Sequence, residues 1–236
     1  MRAVTKESSV ASLKSRLRRE ADLLLHRGTR ATQGDYSVRR ASRPVAVQRL
    51  IGALGNIMLS DSTPMMEKFV AGKVFHRLQE PGAVANKPVA AMPLATQMQF
   101  ALRHLSQKGP AFAEVASAIG DLAKSLEWVA SKTGPFASLN IEHTHAHAVV
   151  AGVSGVEERD DVALGLTIMA PYTRFPDHIQ YRSRVFLALS DCEFSCDDKG
   201  WQRGSVGSIF FNDAGHNVAM RCTARPLLAA WCHVER

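Results

Sequence analysis

The chain has 236 residues, 46% of them hydrophobic and 22% charged, which fits a folded, soluble chain of one or two domains with a real core. No stretch reaches the roughly 18–20 uninterrupted apolar residues of a membrane helix. The start, Met1-Arg-Ala-Val-Thr-Lys-Glu7, lacks the apolar core of a secretory signal, so the expected location is cytoplasmic. The net charge of +7 is unevenly placed: residues 1–49 hold 12 Lys and Arg against 4 Asp and Glu, and the remainder holds 17 against 18. A basic arm of this kind suits nucleic acid, an acidic partner or an anionic surface. No aromatics are interleaved to stack bases and there is no zinc-finger spacing, so nucleic acid is not the expected partner.

In chain order, Val10, Leu13, Leu17, Ala21 and Leu24 fall near one helical face, and Gly28 is a plausible C-cap. Residues 28–44 read as a linker. Helices are predicted over about 45–59 and from Ser62-Thr-Pro-Met-Met-Glu67 to Leu78, with Pro64 early and Glu67 in the first turn. Residues 80–93, with three prolines, read as a loop, followed by helices at about 94–107 and 111–131. Gly134-Pro135 closes the helical half.

The period then changes. Ile141-Glu-His-Thr-His-Ala-His-Ala-Val-Val150 alternates, and Val162–Met169 is a short apolar run. Arg184–Leu189, Val206–Phe211, Asn217–Cys222 and Leu227–Val234 are further strand-sized segments. Many short strands at this spacing imply a sandwich or barrel. The expected fold is α+β: a basic, loosely docked arm over 1–44, a helical region over 45–134, and a small jelly-roll barrel over 135–236. Of the four cysteines, Cys192 and Cys196 would share one face of an extended strand, able to pair or to join a soft metal site; reduced, buried thiols are the expectation.

Ala163-Leu-Gly-Leu-Thr-Ile-Met-Ala-Pro-Tyr-Thr-Arg-Phe-Pro-Asp-His178, then Val185-Phe-Leu-Ala-Leu-Ser190, Gly200-Trp201 and Gly207-Ser-Ile-Phe-Phe-Asn212, resemble the barrel of the cupin-type dimethylsulfoniopropionate (DMSP) lyases. The resemblance covers roughly residues 137–235 and implies a cupin barrel behind a helical half. It also implies a divalent metal (Zn, Mn, Fe or Ni) held by converging side chains that grips the substrate carboxylate. A tyrosine or similar base would remove the proton α to that carboxylate, and dimethyl sulfide would leave to give acrylate.

The chain departs from that pattern at most ligand positions. His178 stands at the first histidine, Gln180 at the second, Arg184 at the glutamate and Phe186 at the tyrosine. Phe175 stands at the tyrosine base, and Val218 at the histidine of the second motif. A guanidinium offers no lone pair and stays protonated, so Arg184 is the most damaging change for a metal. The expectation is therefore a degraded metal centre with no cofactor, and a small anion as ligand, bound by His178, Gln180, Arg184, Phe175, Phe186 and His216 at one barrel mouth. The alternative is a lyase with a rebuilt site. His216, two residues before Val218, would share its face and join His178. His143, His145 and His147 would line one strand face at about 6.6–7 Å intervals, wide for ligands about 2.1 Å from one ion. Tyr172, Tyr181 or His178 would then be the catalytic base. A third reading keeps nucleic acid or another partner on the basic arm. A small anionic molecule is the expected partner, and a homodimer is compatible with the sequence.

Overall fold

The computed structural model describes residues 42–85, 92–197 and 199–235. The predicted helix over Val10–Arg27 and nearly all of the basic arm lie outside them.

Four helices come first: α1 (Val45–Met58), α2 (Met65–Arg77), α3 (Ala95–Ser106) and α4 (Pro110–Leu122). Pro110 opens α4 where a backbone N–H would be unpaired anyway. The helix predicted over 111–131 is shorter: after Leu122 a 3-10 turn carries the chain to Ser125, and Leu126 is extended. The cause lies at Trp128, whose indole N–H donates to the Ala123 carbonyl at 2.8 Å. There Trp128–Val129 (β2) turns back to pair with the strand that starts at His145.

Two sheets follow. The large one runs β1 (Ala83–Val84), β4 (Glu157–Glu158), β3 (His145–Gly152), β5 (Val162–Met169), β12 (Leu227–Val234), β7 (Arg184–Ala188) and β10 (Ile209–Asn212). The small one runs β6 (His178–Ile179), β11 (Asn217–Arg221), β8 (Cys192–Cys196) and β9 (Gln202–Gly204). The segment predicted from Val206 becomes a regular strand only at Ile209, after Gly207 turns with φ +93°. The alternating run from Ile141 also begins differently: Ile141–Thr144 is one helical turn, α5, and the strand starts at His145.

Period-2 alternation sorts the large sheet into two faces. On β5, Val162, Leu164, Leu166 and Ile168 face the helices, in one core with Leu50, Leu54 and Ile119. Ala163, Gly165, Thr167 and Met169 face the small sheet. There Phe186, Phe194, Val218, Met220, Leu227, Ala229 and Trp231 form a second core. All eight residues of β5 are buried. A side chain at Gly165 would not fit, since a Cβ there would lie 2.2 Å from the Trp231 indole. At the edge of the large sheet, Arg43 is buried and paired with the fully buried Glu157, which also accepts from the Gly82 N–H at 2.8 Å. Burial pushes the Glu157 carboxyl up, but Arg43 and the Gly82 N–H outweigh it and hold it below the usual range.

Candidate functional site

Between the sheets, at one end of the inner core, lies a cavity of about 200 Å³. That is the space of roughly seven waters at about 30 Å³ each, enough for a small molecule only. His145 and His147 reach it from β3, His178 from β6, Arg184 from β7, and Phe175 from the loop before β6; Thr167 and Trp231 form its floor. Phe175 meets the rings of His145 and His178 edge-on at 4.8 and 5.2 Å.

Hydrogen bonds fix the proton on two of these imidazoles, His145 and His178. His145 Nδ1 accepts from the Ser131 N–H at 3.3 Å, so its proton sits on Nε2. His178 Nδ1 lies 3.0 Å from the Pro176 carbonyl, which only accepts, so Nδ1 carries the proton and Nε2 keeps a free lone pair. Burial lowers His145 to about 3, helped by His147. Burial and then Arg184 lower His147. His178 is lowered by burial and by Arg184, against the Pro176 hydrogen bond and Asp177. All three are neutral at pH 7.

Arg184 is the fixed charge of the cavity. Burial lowers it to about 10, still protonated at neutral pH. Its Nε–H donates to His233 Nδ1 at 3.3 Å, and the His233 Nε2–H donates to the Glu235 carboxylate at 2.9 Å. The guanidinium lies 4.7 Å above the Trp231 ring. This chain clamps one edge of the guanidinium. Its terminal nitrogens make no hydrogen bond to protein among the described residues. Directly opposite on β10 stands Asn212, 1% exposed, whose Nδ2 has no partner among the described residues. Gln180, also buried, leaves its Oε1 unpartnered in the same way.

Of the residues singled out in the sequence, the cavity gathers Phe175, His178, Arg184, His145 and His147 and leaves the others outside its lining. His143 sits on the exposed side of α5, because the helical turn breaks the alternation that would have aligned it. His216 lies in the turn before β11 and bonds to Asp197 through Nδ1, so it does not meet His178. Val218 is the residue across from His178, and it is buried. Phe186 belongs to the deeper inner core and meets the Phe194 ring at a tilt, 5.5 Å between centroids. Tyr172 and Tyr181 are 77% and 81% exposed; Tyr181 lines an outer groove with Met66 and Phe69 instead. The sequence reading missed His233, Trp231 and Asn212, although Leu227, Ala229, Trp231 and His233 alternate on one face.

Two groups of metal-binding residue types stand out. His145, His147 and His178 share the cavity, yet their nitrogens do not come within 4.8 Å of one another as a set. Among the described residues the set that does is Cys196, Asp197 and His216.

No curated protein matches the chain. Solved structures of DMSP lyases share its fold. One, from a study of the lyases RdDddP and RnDddQII, has TM-score 0.58 at 16% identity over 79% of this chain and 91% of the other. Another, DddQ from Ruegeria pomeroyi DSS-3, has TM-score 0.58 at 19% identity over 80% and 91%. A family model described as dimethylsulfoniopropionate lyase matches residues 66–229, and by that match the chain belongs to the DMSP lyase family.

Proposed function

We propose that the barrel binds a small carboxylate through Arg184 in place of a metal, with His178 as the acceptor beside it. The observation that carries this reading is the half-buried, protonated Arg184, held by His233 and Glu235 with its terminal nitrogens free of protein partners among the described residues. A guanidinium pairs a carboxylate bidentately, and burial strengthens the pair. The His145 Nε2–H adds a donor.

The metal implied by the family does not fit these residues. Of the positions that would hold it, His178 and Gln180 offer donor atoms, while Arg184, Phe186 and Val218 offer none. His145 Nδ1 is already engaged, and a cation faces the remaining imidazoles.

The same geometry suits one reaction class of the family, elimination. With the carboxylate on Arg184, the free lone pair of His178 Nε2 would take the proton α to it. The C–H electrons form the new C=C bond, and the β-sulfur departs with its bonding pair. His178 becomes an imidazolium, which its neutral starting state permits. The second reading, a metal-dependent C–S lyase with a rebuilt histidine site, draws on the shared cavity of His145, His147 and His178.

Calorimetric titration of the chelator-treated full chain with propionate, acrylate and DMSP separates the two. The carboxylate reading expects binding without metal that weakens about tenfold or more in Arg184→Gln. Binding that appears only on adding a divalent metal, and survives Arg184→Gln, overturns it in favour of the second reading.

A further inference from the structure

Away from the barrel cavity, at the end of the small sheet, the Cys196 sulfur, an Asp197 carboxylate oxygen and an imidazole nitrogen of His216 all lie within 4.8 Å of one another. We propose that these three residues form a site for one borderline transition ion, Zn²⁺ or a close relative, distinct from the ligand site of the barrel.

The local backbone builds the cluster. Neighbours on a regular strand point to opposite faces, so Cys196 and Asp197 would normally part. At Asp197 the backbone is left-handed, φ +49°, which ends the alternation where β8 ends. A residue other than glycine adopts this conformation at a cost that Asp tolerates better than most. The carboxylate is then fixed: Oδ1 accepts from the Asn217 N–H at 2.8 Å, and Oδ2 meets His216 Nδ1. The Asp197 N–H donates to the Asn217 carbonyl at 2.8 Å, tying the two turns together. Without an ion His216 carries its proton on Nδ1, shared with that carboxylate; on binding the proton moves to Nε2, and Nδ1 and Oδ2 both turn to the ion.

The donor chemistry selects the ion. One sulfur, one nitrogen and one oxygen suit Zn²⁺ or Co²⁺ over Ca²⁺ or Mg²⁺, which take oxygen alone. Ligands around tetrahedral Zn²⁺ stand about 3.3–3.8 Å apart, a spacing reached by side-chain rotations that part Oδ2 from Nδ1 around the ion and bring in the sulfur. The ligand form of cysteine is the thiolate. Binding therefore releases the Cys196 proton to solvent, the thiolate bonds the ion, and water completes the shell. Such an ion would pin the end of β8 to the turn before β11. That turn also carries the His216 carbonyl, which accepts the Gln180 N–H at 2.9 Å beside the barrel mouth.

The test is titration of the reduced, metal-free full chain with Co²⁺, read by the near-ultraviolet thiolate-to-cobalt charge-transfer band. The expected result is one ion per chain with that band. The band disappears in Cys196→Ser, and affinity falls at least about tenfold in His216→Ala. It is unchanged in Cys192→Ser and in His178→Ala, which separates it from the barrel cavity. Absence of the band in the wild-type chain, or its persistence in a folded Cys196→Ser variant, overturns the proposal. Should Cys196→Ser fail to fold, full-strength Co²⁺ binding by His216→Ala overturns it as well.

Discussion

The two faces of the large sheet differ in kind. The face toward the helices is apolar from end to end, with Val162, Leu164, Leu166, Ile168, Leu228 and Cys232 all buried against one continuous core. The face toward the small sheet is apolar at one end, around Phe186, Phe194 and Trp231, and carries Arg184, His145, His147, Thr167 and His233 at the other. The same strands build both. The outer face secures the fold, while the polar end of the inner face costs stability, since burying a cation and several imidazoles is unfavourable without partners.

The comparison breaks most visibly with Leu166→Ala, on the outer face. Deleting this fully buried side chain should cost about 2–5 kcal/mol in urea unfolding and leave carboxylate affinity unchanged. A change in affinity of the folded variant would show that the two faces are not independent.

Next in size is acid sensitivity of the inner face. His145 is lowered in the fold from 6.5 to about 3. Between those values the unfolded chain binds a proton that the native chain refuses, so stability falls as pH drops through this window and levels off below it. The slope approaches about 1.4 kcal/mol per pH unit from this residue, on the order of a few kcal/mol in all. His147, His178 and His233 are lowered too and add slopes of the same sign. Urea midpoints measured across the window should flatten partly in His145→Gln; an unchanged slope would mean that His145 does not carry this linkage.

Arg184→Met sharpens the contrast in the other direction. Replacing this half-buried cation by an apolar side chain of similar reach should raise stability by about 0–1 kcal/mol while abolishing carboxylate binding. Thermal unfolding and calorimetry on one sample read both; a destabilised variant would place Arg184 among the supports of the fold.

The smallest expected effect is that of Glu235→Gln. It weakens the acceptor that orients His233, and through it Arg184, so affinity should fall about two- to fivefold with stability nearly unchanged. Equal affinity in the two proteins would show that Arg184 needs no such support.

Much of the fold is legible in the sequence where one physical signal dominates. Val162–Met169 reads as a strand because a sheet buried on both faces demands an unbroken apolar run. The alternation of His145 and His147 placed both on one face, and the family frame placed His178 and Arg184 in the lumen. The misses have local causes. His143 and Trp128 fall where a helical turn and an early helix end change the period. β8 and β9 are short and half polar, so alternation is weak there. His216 follows a turn whose geometry depends on Asp197, a residue far from it in sequence. His233 hides in an apolar strand, and its role shows only once β12 is laid in register beside β7, with His233 opposite Arg184.

The strict alternation along β5, β7 and β12 has an evolutionary consequence. A barrel whose even and odd positions answer to different neighbours can be re-lined without being rebuilt. Substitutions at Arg184, Phe186 or Trp231 meet only the lumen, while Val185, Leu187 and Cys232 go on holding the helices. The chemistry of the interior is thus an exchangeable lining within a durable shell, and a lineage can abandon one catalytic apparatus and try another while its architecture persists.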